Sequence, residues 1–508
     1  MRGAGQCLRA RRNGPQPCAA RHGPFVGRRP RMHPLQLRAG HHRGPGCATG
    51  RPLRSELPEA GGAGVMAGRA KSLALSPISR PFDVRLSLPG SKSFANRALV
   101  CAALAGGPCS LANLSPGDDT ALMLNVLADI GWSVRGRGTN VELTPPLRPK
   151  PGSVTTIFTG AAGTATRFAC ALLCVTPGRF VLDGNARMRQ RPMADLIHAL
   201  RQLGARITER GTAGCVPLEI EGASLRGGKC VLSGEVSSQF LSALLLVAPM
   251  VGDGVTIEVR GELVSKPYVD ITLNVMRAFG MPDGCIEREG YGQFVVKPAS
   301  YSCQRYECPP DATAASYFWG AAAVTGSTCV IDGLTRQDVQ GDVGFVDLLQ
   351  RMGCEVLELP NGLGVRGAGE GHGTSLRSLE ADMGAMPDCA QTLAVVCAFA
   401  DGTSRLTGLS TLRVKETDRI AALQAELKKL NIVTRAGADW LEIDGRGAMW
   451  HAPAQRAPTI KTYEDHRMAM SFAIAALRTP LRIAHPEVVS KSFPGFWQHW
   501  SGLHAHAD

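Results

Sequence analysis

Residues 124–134 read LNVLADIGWSV. A helical run of apolar residues meets Gly131, and a strand-like stretch follows. Four more segments have the same shape: LIHALRQLGARI (196–207), ITLNVMRAFGMP (271–282), FVDLLQRMGCEV (345–356) and LQAELKKLNIVT (423–434). Their stop residues are Gly131, Gly204, Gly280, Gly353 and Asn431, spaced by 73, 76, 73 and 78 residues. Gly, and sometimes Asn, tolerates the left-handed backbone that follows a helix. The five stops therefore share one physical explanation, and the spacing marks an internal repeat.

A second class of segment lies between them. SKSFANRALVCAALAGG (91–107), AGTATRFACALLCVTPG (162–178), SSQFLSALLLVAPMVGDG (237–254), DATAASYFWGAAAVTG (311–326), PDCAQTLAVVCAFADG (387–402) and DHRMAMSFAIAALRTP (465–480) are small-residue apolar helices opened by polar residues. Five of them end in Gly, at 107, 178, 254, 326 and 402, and a short alternating strand and a charged loop follow each. Helices apolar all round are buried, while the amphipathic class covers the outside. The pattern predicts an α/β (α+β) fold of six repeated two-helix, several-strand units. Six units exceed one core, so two domains of three units each are expected.

Composition bounds the function classes. The 508 residues are 44% hydrophobic and 19% charged, ordinary for a globular protein. No apolar run reaches the ~18 residues of a membrane span. The net charge of +13 is mostly local. Residues 1–65 hold twelve Arg and no Lys against Glu56 and Glu59, a surplus of +10 that leaves about +3 for the rest. This Gly-, Pro- and Arg-rich extension has no helical or strand period, so disorder is expected. It lacks a secretory apolar core and the serines of a transit peptide, Ser55 being its one serine. The expected start of the folded chain is Met66. Sixteen Cys form no C-x-x-C pair and no zinc-like cluster with His. Cys101, Cys170, Cys174 and Cys397 fall in apolar helices, as small buried hydrophobes of a reducing cytoplasm.

The chemistry-bearing residues recur at one phase of the repeat. Lys92, Arg97, Arg167, Arg191, Lys266, Lys415, Arg419, Arg467 and Lys491 stand at inner-helix openings or in the loops that follow the strands. Helix N-termini favour anions, and Arg binds phosphate and carboxylate bidentately. The six openings are expected to gather in one cationic cleft, and the implied ligand is small and polyanionic. LPGSKS (88–93) lacks the nucleotide P-loop pattern, so Lys92 and Ser93 open a helix towards an anion directly. Gly163, in TGAAGTATR (159–167), would let a ligand approach the backbone. Ser237, Ser238 and Gln239 could cap a helix or bind phosphate oxygens. Asp311, Asp388 and Glu416 stand out among the cations. The first two could be helix caps and the third an ion-pair partner, or they could transfer protons. RVKETDR (413–419) packs five charges into seven residues, which a solvated surface would also explain.

LPGSKSFANRAL, AGTATRF, RMRQRP, SGEVSSQFLSALL, LVSKPYVDITL, RVKETDRI, YEDHRMAMSFA and SKSFPGF together resemble the 5-enolpyruvylshikimate-3-phosphate synthase family, in order, over about residues 75–500. The resemblance implies a two-domain inside-out barrel of six βαβαββ units. One domain would span 90–309 and the other, discontinuous, 66–89 plus 310–508. It implies transfer of the enolpyruvyl group of phosphoenolpyruvate to the 5-hydroxyl of shikimate 3-phosphate, releasing phosphate, with no metal and no cofactor. Lys92, Ser93 and Arg97 would hold shikimate 3-phosphate, Lys92 touching phosphoenolpyruvate as well. Ser237, Ser238, Gln239 and Ser265 would bind the phosphate and ring, Gln239 serving both substrates. Gly163, Arg191, Arg419, Arg467 and Lys491 would bind phosphoenolpyruvate. Asp388 would be the base for the attacking hydroxyl with Lys415 beside it, and Glu416 the acid for the methylene. The family also implies a cytoplasmic monomer with no nucleic-acid or membrane partner.

Two positions depart from the family pattern. Ala161 stands where many members have Asn, and Thr411 where many have Asn; both bear on substrate constants and on glyphosate, a phosphoenolpyruvate mimic in this family. The sister family acting on UDP-N-acetylglucosamine carries Cys on the loop where this chain has Ala186, which sets it second. A nucleic-acid-binding protein is the remaining rival, and the modest charge of the body opposes it.

Overall fold

The computed structural model describes residues 72–146, 154–368, 376–447 and 457–507. The Arg-rich extension 1–65 and the 66–71 start of the expected discontinuous domain lie outside them.

Twelve α-helices are found among the described residues: α1 (Lys92–Leu104), α2 (Asp118–Asp129), α3 (Gly163–Val175), α4 (Ala194–Gln202), α5 (Ser238–Val247), α6 (Pro267–Ala278), α7 (Ala312–Thr325), α8 (Phe345–Arg351), α9 (Ala390–Cys397), α10 (Arg419–Lys428), α11 (His466–Ala476) and α12 (Phe496–Ala505). The odd-numbered ones are the small-residue segments. Every residue of α7 is buried, and α9 and α11 are buried throughout. The even-numbered ones from α2 to α10 are the amphipathic class, each with one buried face.

Those five helices end alike. Gly131, Gly204, Gly280, Gly353 and Asn431 all have positive φ, between 61° and 108°. At each, the stop N–H bonds the carbonyl three residues back, and the next N–H bonds the one five back, as in Gly131 to Ala128 and Trp132 to Leu127. This is the helix-ending geometry that satisfies the orphan carbonyls. Among the inner segments, the first turns at Gly106 (φ 68°) and not at Gly107.

The strands repeat one pattern. Val154–Phe158 runs parallel to Arg179–Asp183 on the other side of α3, and a Leu218–Glu221/Arg206–Glu209 hairpin continues the sheet antiparallel. The same order holds for the sheets around Val255–Arg260 and Thr403–Thr407. Two sheets exchange their leading strands. Asp83–Leu86 precedes α1 yet pairs with Thr328–Asp332, which follows α7. Arg305–Glu307 precedes α7 yet pairs with Cys109–Ala112, which follows α1. The sixth sheet has three strands and joins Ser72–Leu75 to Leu481–Ala484, close to the other end of the described chain.

Buried apolar side chains form two clusters. One runs continuously from Phe94 to Cys308, and the other combines Ile78–Leu88 with Ala312–Ala507. The two crossings between them lie side by side. Gly90 bridges Pro310, Ser91 N–H donates to the Pro309 carbonyl (2.8 Å), and Asp311 N–H to that of Pro89 (3.1 Å). A Cβ on Gly90 would sit 1.7 Å from the Asn113 carbonyl oxygen, so only glycine fits there. The thirteen described cysteines are all free thiols, and twelve are buried, Cys101, Cys170, Cys174 and Cys397 among them. No helix among the described residues is long and apolar enough to cross a membrane.

Candidate active site

Five of the six inner helices open on one cleft between the two cores: α1 with Lys92 and Ser93, α3 with Gly163, α5 with Ser238 and Gln239, α9 just after Asp388, and α11 with His466 and Arg467. The sixth, α7, opens on a neighbouring pocket that shares Lys92 and Arg467 with the cleft. Asp311 there is the cap of α7, accepting from the N–H groups of Thr313 and Ala314 (2.9 and 3.2 Å), so the capping alternative holds for it. A single cleft fed by all six openings is corrected to five plus this side pocket.

Asp388 is no helix cap. Its carboxylate meets Arg467 (2.8 Å), Arg419 (3.3 Å) and Lys415 (3.6 Å), and the Tyr268 hydroxyl donates to it at 3.4 Å. Burial opposes its ionisation, but Arg467, Lys415, Arg419 and Lys92 outweigh burial and hold its carboxyl well below the usual carboxylate range. Glu416 pairs with Lys491 (2.6 Å) and Arg419 (2.9 Å). Burial again opposes the charge, and Lys491, Arg419 and Arg191 overcome it. Arg419 thus joins both carboxylates, while its Nε donates to Asp465 at 2.7 Å. Burial lowers the Lys415 ammonium, an effect that Asp388 partly offsets.

The other sites named from sequence fall around this pair. Lys92 Nζ is 3.0 Å from Asp119 at the start of α2. Arg97 forms part of the floor, donating to Thr272 Oγ1 (2.7 Å), Ser242 Oγ (3.2 Å) and the carbonyls of Ser93 and Tyr268 (2.7 and 2.9 Å). Ser237 caps α5 by accepting from the Gln239 N–H (3.3 Å) and still lines the cleft. Ser265 lines it from a left-handed turn (φ 56°). The buried Thr411 hydroxyl has no hydrogen-bond partner among the described residues. Lys491 reaches the site through Glu416.

Gly163 has a reason beyond ligand approach. A Cβ there would lie 2.6 Å from Arg191 Nη1, so the glycine makes room for that guanidinium, which donates to the Ala161 carbonyl at 3.2 Å. Arg167 Nη1 donates to Gln239 Oε1 at 2.5 Å and holds that amide in place. Lys266 is the outlier of the basic set: it faces Glu262 at 2.9 Å, outside the cleft lining. Within RVKETDR the jobs divide. Arg413 donates to the carbonyls of Gly437 and Ala438, and Asp418 caps α10, while Lys415, Glu416 and Arg419 face the cleft.

Sequence reasoning missed Asp119, Tyr268 and His466. Asp119 is one of two acids in the first turn of an outer helix, where an acid needs no ligand to explain it. His466 is fully buried, and neither ring nitrogen has a hydrogen-bond partner among the described residues, Nδ1 lying 3.7 Å from Asp465. Burial and the positive charges of Arg467, Lys92 and Lys491 keep its imidazole neutral. A cleft with two ionised carboxylates inside a ring of cations can bind small polyanions and move protons at their reacting carbons.

Residues 78–500 match the sequence profile of EPSP synthase (3-phosphoshikimate 1-carboxyvinyltransferase). The chain is 42% identical over 431 residues to the 3-phosphoshikimate 1-carboxyvinyltransferase of Ralstonia pickettii (strain 12J), covering 83% of this chain and 96% of that one. It is 41% identical over 437 residues to that of Aliivibrio fischeri (strain MJ11), covering 84% and 98%. Among solved structures, EPSP synthase from Acinetobacter baumannii superposes with a TM-score of 0.69 at 25% identity, covering 85% of this chain and 97% of that one. By sequence motif, by fold and by extent of match, the chain belongs to the EPSP synthase family.

Proposed function

We propose that this protein transfers the enolpyruvyl group of phosphoenolpyruvate to the 5-hydroxyl of shikimate 3-phosphate, releasing phosphate, in the shikimate pathway that supplies chorismate and the aromatic amino acids. The observation that carries this is the shared guanidinium: Arg419 holds Asp388 and Glu416 on one cleft, 3.3 and 2.9 Å away, facing the cationic helix openings.

Shikimate 3-phosphate lies on Lys92, Ser93, Arg97, Ser237, Ser238, Gln239 and Ser265. Phosphoenolpyruvate lies on Arg191, Arg419, Arg467 and Lys491, against Gly163. The ionised Asp388 takes the proton of the attacking hydroxyl. Glu416 gives a proton to the methylene carbon while the oxygen bonds the central carbon. The adduct then expels phosphate as the methyl group returns one proton to the Glu416 carboxylate, and the C–H electrons form the double bond of the enol ether. Glu416 is held ionised by its cationic neighbours, so its proton depends on the substrate. A phosphate and a carboxylate arriving on Arg191, Arg419 and Lys491 draw those cations away from Glu416 and raise its pKa. No step asks for a metal or a cofactor.

The two apolar clusters support a division into domains 90–309 and 66–89 plus 310–508, and the repeated sheets support six βαβαββ units arranged as two inside-out barrels. We assign the enzyme to the cytoplasm as a monomer. Phosphate release on mixing the chain with phosphoenolpyruvate and shikimate 3-phosphate tests the reading. Release with UDP-N-acetylglucosamine and not with shikimate 3-phosphate would refute it.

A further inference from the structure

We infer that Arg187 is a positioning residue, a latch that crosses the cleft and sets the orientation of Glu416; the inference rests on the enolpyruvyl-transfer reading. Arg187 stands on the loop Gly184–Pro192, which belongs to the Phe94–Cys308 core. That loop is bound to its own core on both sides of Arg187. Met188 is fully buried. Asn185 N–H donates to the Gly160 carbonyl at 2.9 Å, and Arg189 pairs with Asp183 at 2.5 Å. Arg187 instead reaches over to the other core, and its Nη2 donates to the Lys415 main-chain carbonyl at 2.6 Å.

That carbonyl belongs to the peptide joining Lys415 to Glu416. Fixing its plane fixes the N–Cα bond from which the Glu416 side chain departs and so narrows the directions that side chain can take. The carboxylate is already held at its far end by Lys491 and Arg419. Arg187 adds the near end, and it does so only when the two cores stand close. The bond therefore couples closure of the cleft to alignment of the acid. Arg187 Nε is buried with no hydrogen-bond partner among the described residues, so the contact of Nη2 with Lys415 is what offsets its desolvation. Cooperation between a charged donor and a carbonyl inside a closed site is worth about tenfold or more in rate when it aligns a proton donor.

The test uses the full chain with Arg187→Ala and Arg187→Lys. In Arg187→Ala, kcat should fall about tenfold or more, and KM for phosphoenolpyruvate should rise. KM for shikimate 3-phosphate should stay within about twofold, because its proposed ligands stand on the core that carries Arg187, and the melting midpoint should not move. Arg187→Lys should recover part of the lost turnover, since an ammonium can donate to the same carbonyl. Turnover within about twofold of the parent in Arg187→Ala would overturn the latch. So would a loss matched by equally weakened shikimate 3-phosphate binding and a lowered melting midpoint. A parent that releases no phosphate from these substrates would refute the function reading instead. The latch is then decided by amide exchange of residues 413–418 in the free chain: at least about threefold faster in Arg187→Ala supports it, and equal exchange overturns it.

Discussion

Arg419 shows how much one side chain carries here. It is 1% exposed and bonds Asp388, Glu416 and Asp465, the last of which also caps α11 through the Arg467 N–H (2.9 Å). Removing such a charge strands its partners in a buried place, so the carboxylates are better probed by isosteric changes. Glu416→Gln should lower turnover by about 100-fold or more with both substrates still bound, measured by phosphate release and by equilibrium binding. Near-normal turnover would take the acid role from Glu416. Asp342 gives a second, independent readout. It is buried beside Asp388, accepts from the Thr313 hydroxyl, and burial and the Asp388 charge push it up to about 7. The unfolded chain binds this proton only near pH 4. The stability contributed by the neutral form is therefore full below that pH and is lost as pH rises through 7. Asp342→Asn removes the dependence, so its stability relative to the parent should gain roughly 2–3 kcal/mol between about pH 5 and pH 8 in denaturant titrations. At this scale the sequence was legible by type and not by job. RVKETDR was readable as a place where both charges meet, but Arg413 and Asp418 turned out to hold the backbone while their neighbours face the cleft. Only packing separates them.

The helix ends were the most legible feature, because a helix that stops at a left-handed residue leaves its signature within a few positions of sequence. Gly353→Ala puts a side chain at φ 108° with open space around it, the nearest atom being 3.8 Å away. The cost is conformational, about 1–2 kcal/mol, and should lower the melting midpoint by a few degrees without changing turnover. Gly163→Ala is the opposite case. Its φ is not in the left-handed region, but the new methyl would collide with the Arg191 guanidinium. Phosphoenolpyruvate KM should rise about tenfold or more while the melting midpoint holds, and an unchanged KM would remove Arg191 from substrate binding. Strand partners were not legible. Asp83–Leu86 and Arg305–Glu307 each pair with a strand far from their own helix, and no local pattern encodes a partner more than 190 residues away. The position of the α7 opening was equally hidden, since Asp311 begins its helix with the same residue type that opens α11.

On the scale of the whole molecule, both chain crossings pass through one narrow ribbon at Gly90 and Pro310, while bonds such as Arg187 to Lys415 and Ser490 to Asp118 (2.7 Å) also tie the two cores together. Ligands held from both sides should favour the closed arrangement. Small-angle scattering should show a smaller radius of gyration on adding both substrates, and no change would argue against closure. The repeat length made two cores legible; which residues return to which core was not, because that depends on the exchange of two strands. That exchange also sets an order of events at the ribosome. The Phe94–Cys308 core is one unbroken stretch and is whole as soon as it has been synthesised. The other needs Phe82 and Val84 from before it and Leu503 and Ala507 from the far end. At roughly 5–20 residues per second, some ten to forty seconds separate the two completions. For that interval the second core, with Phe82 and Val84 already made, waits for Leu503 and Ala507, and the nascent chain is at its most vulnerable to aggregation there.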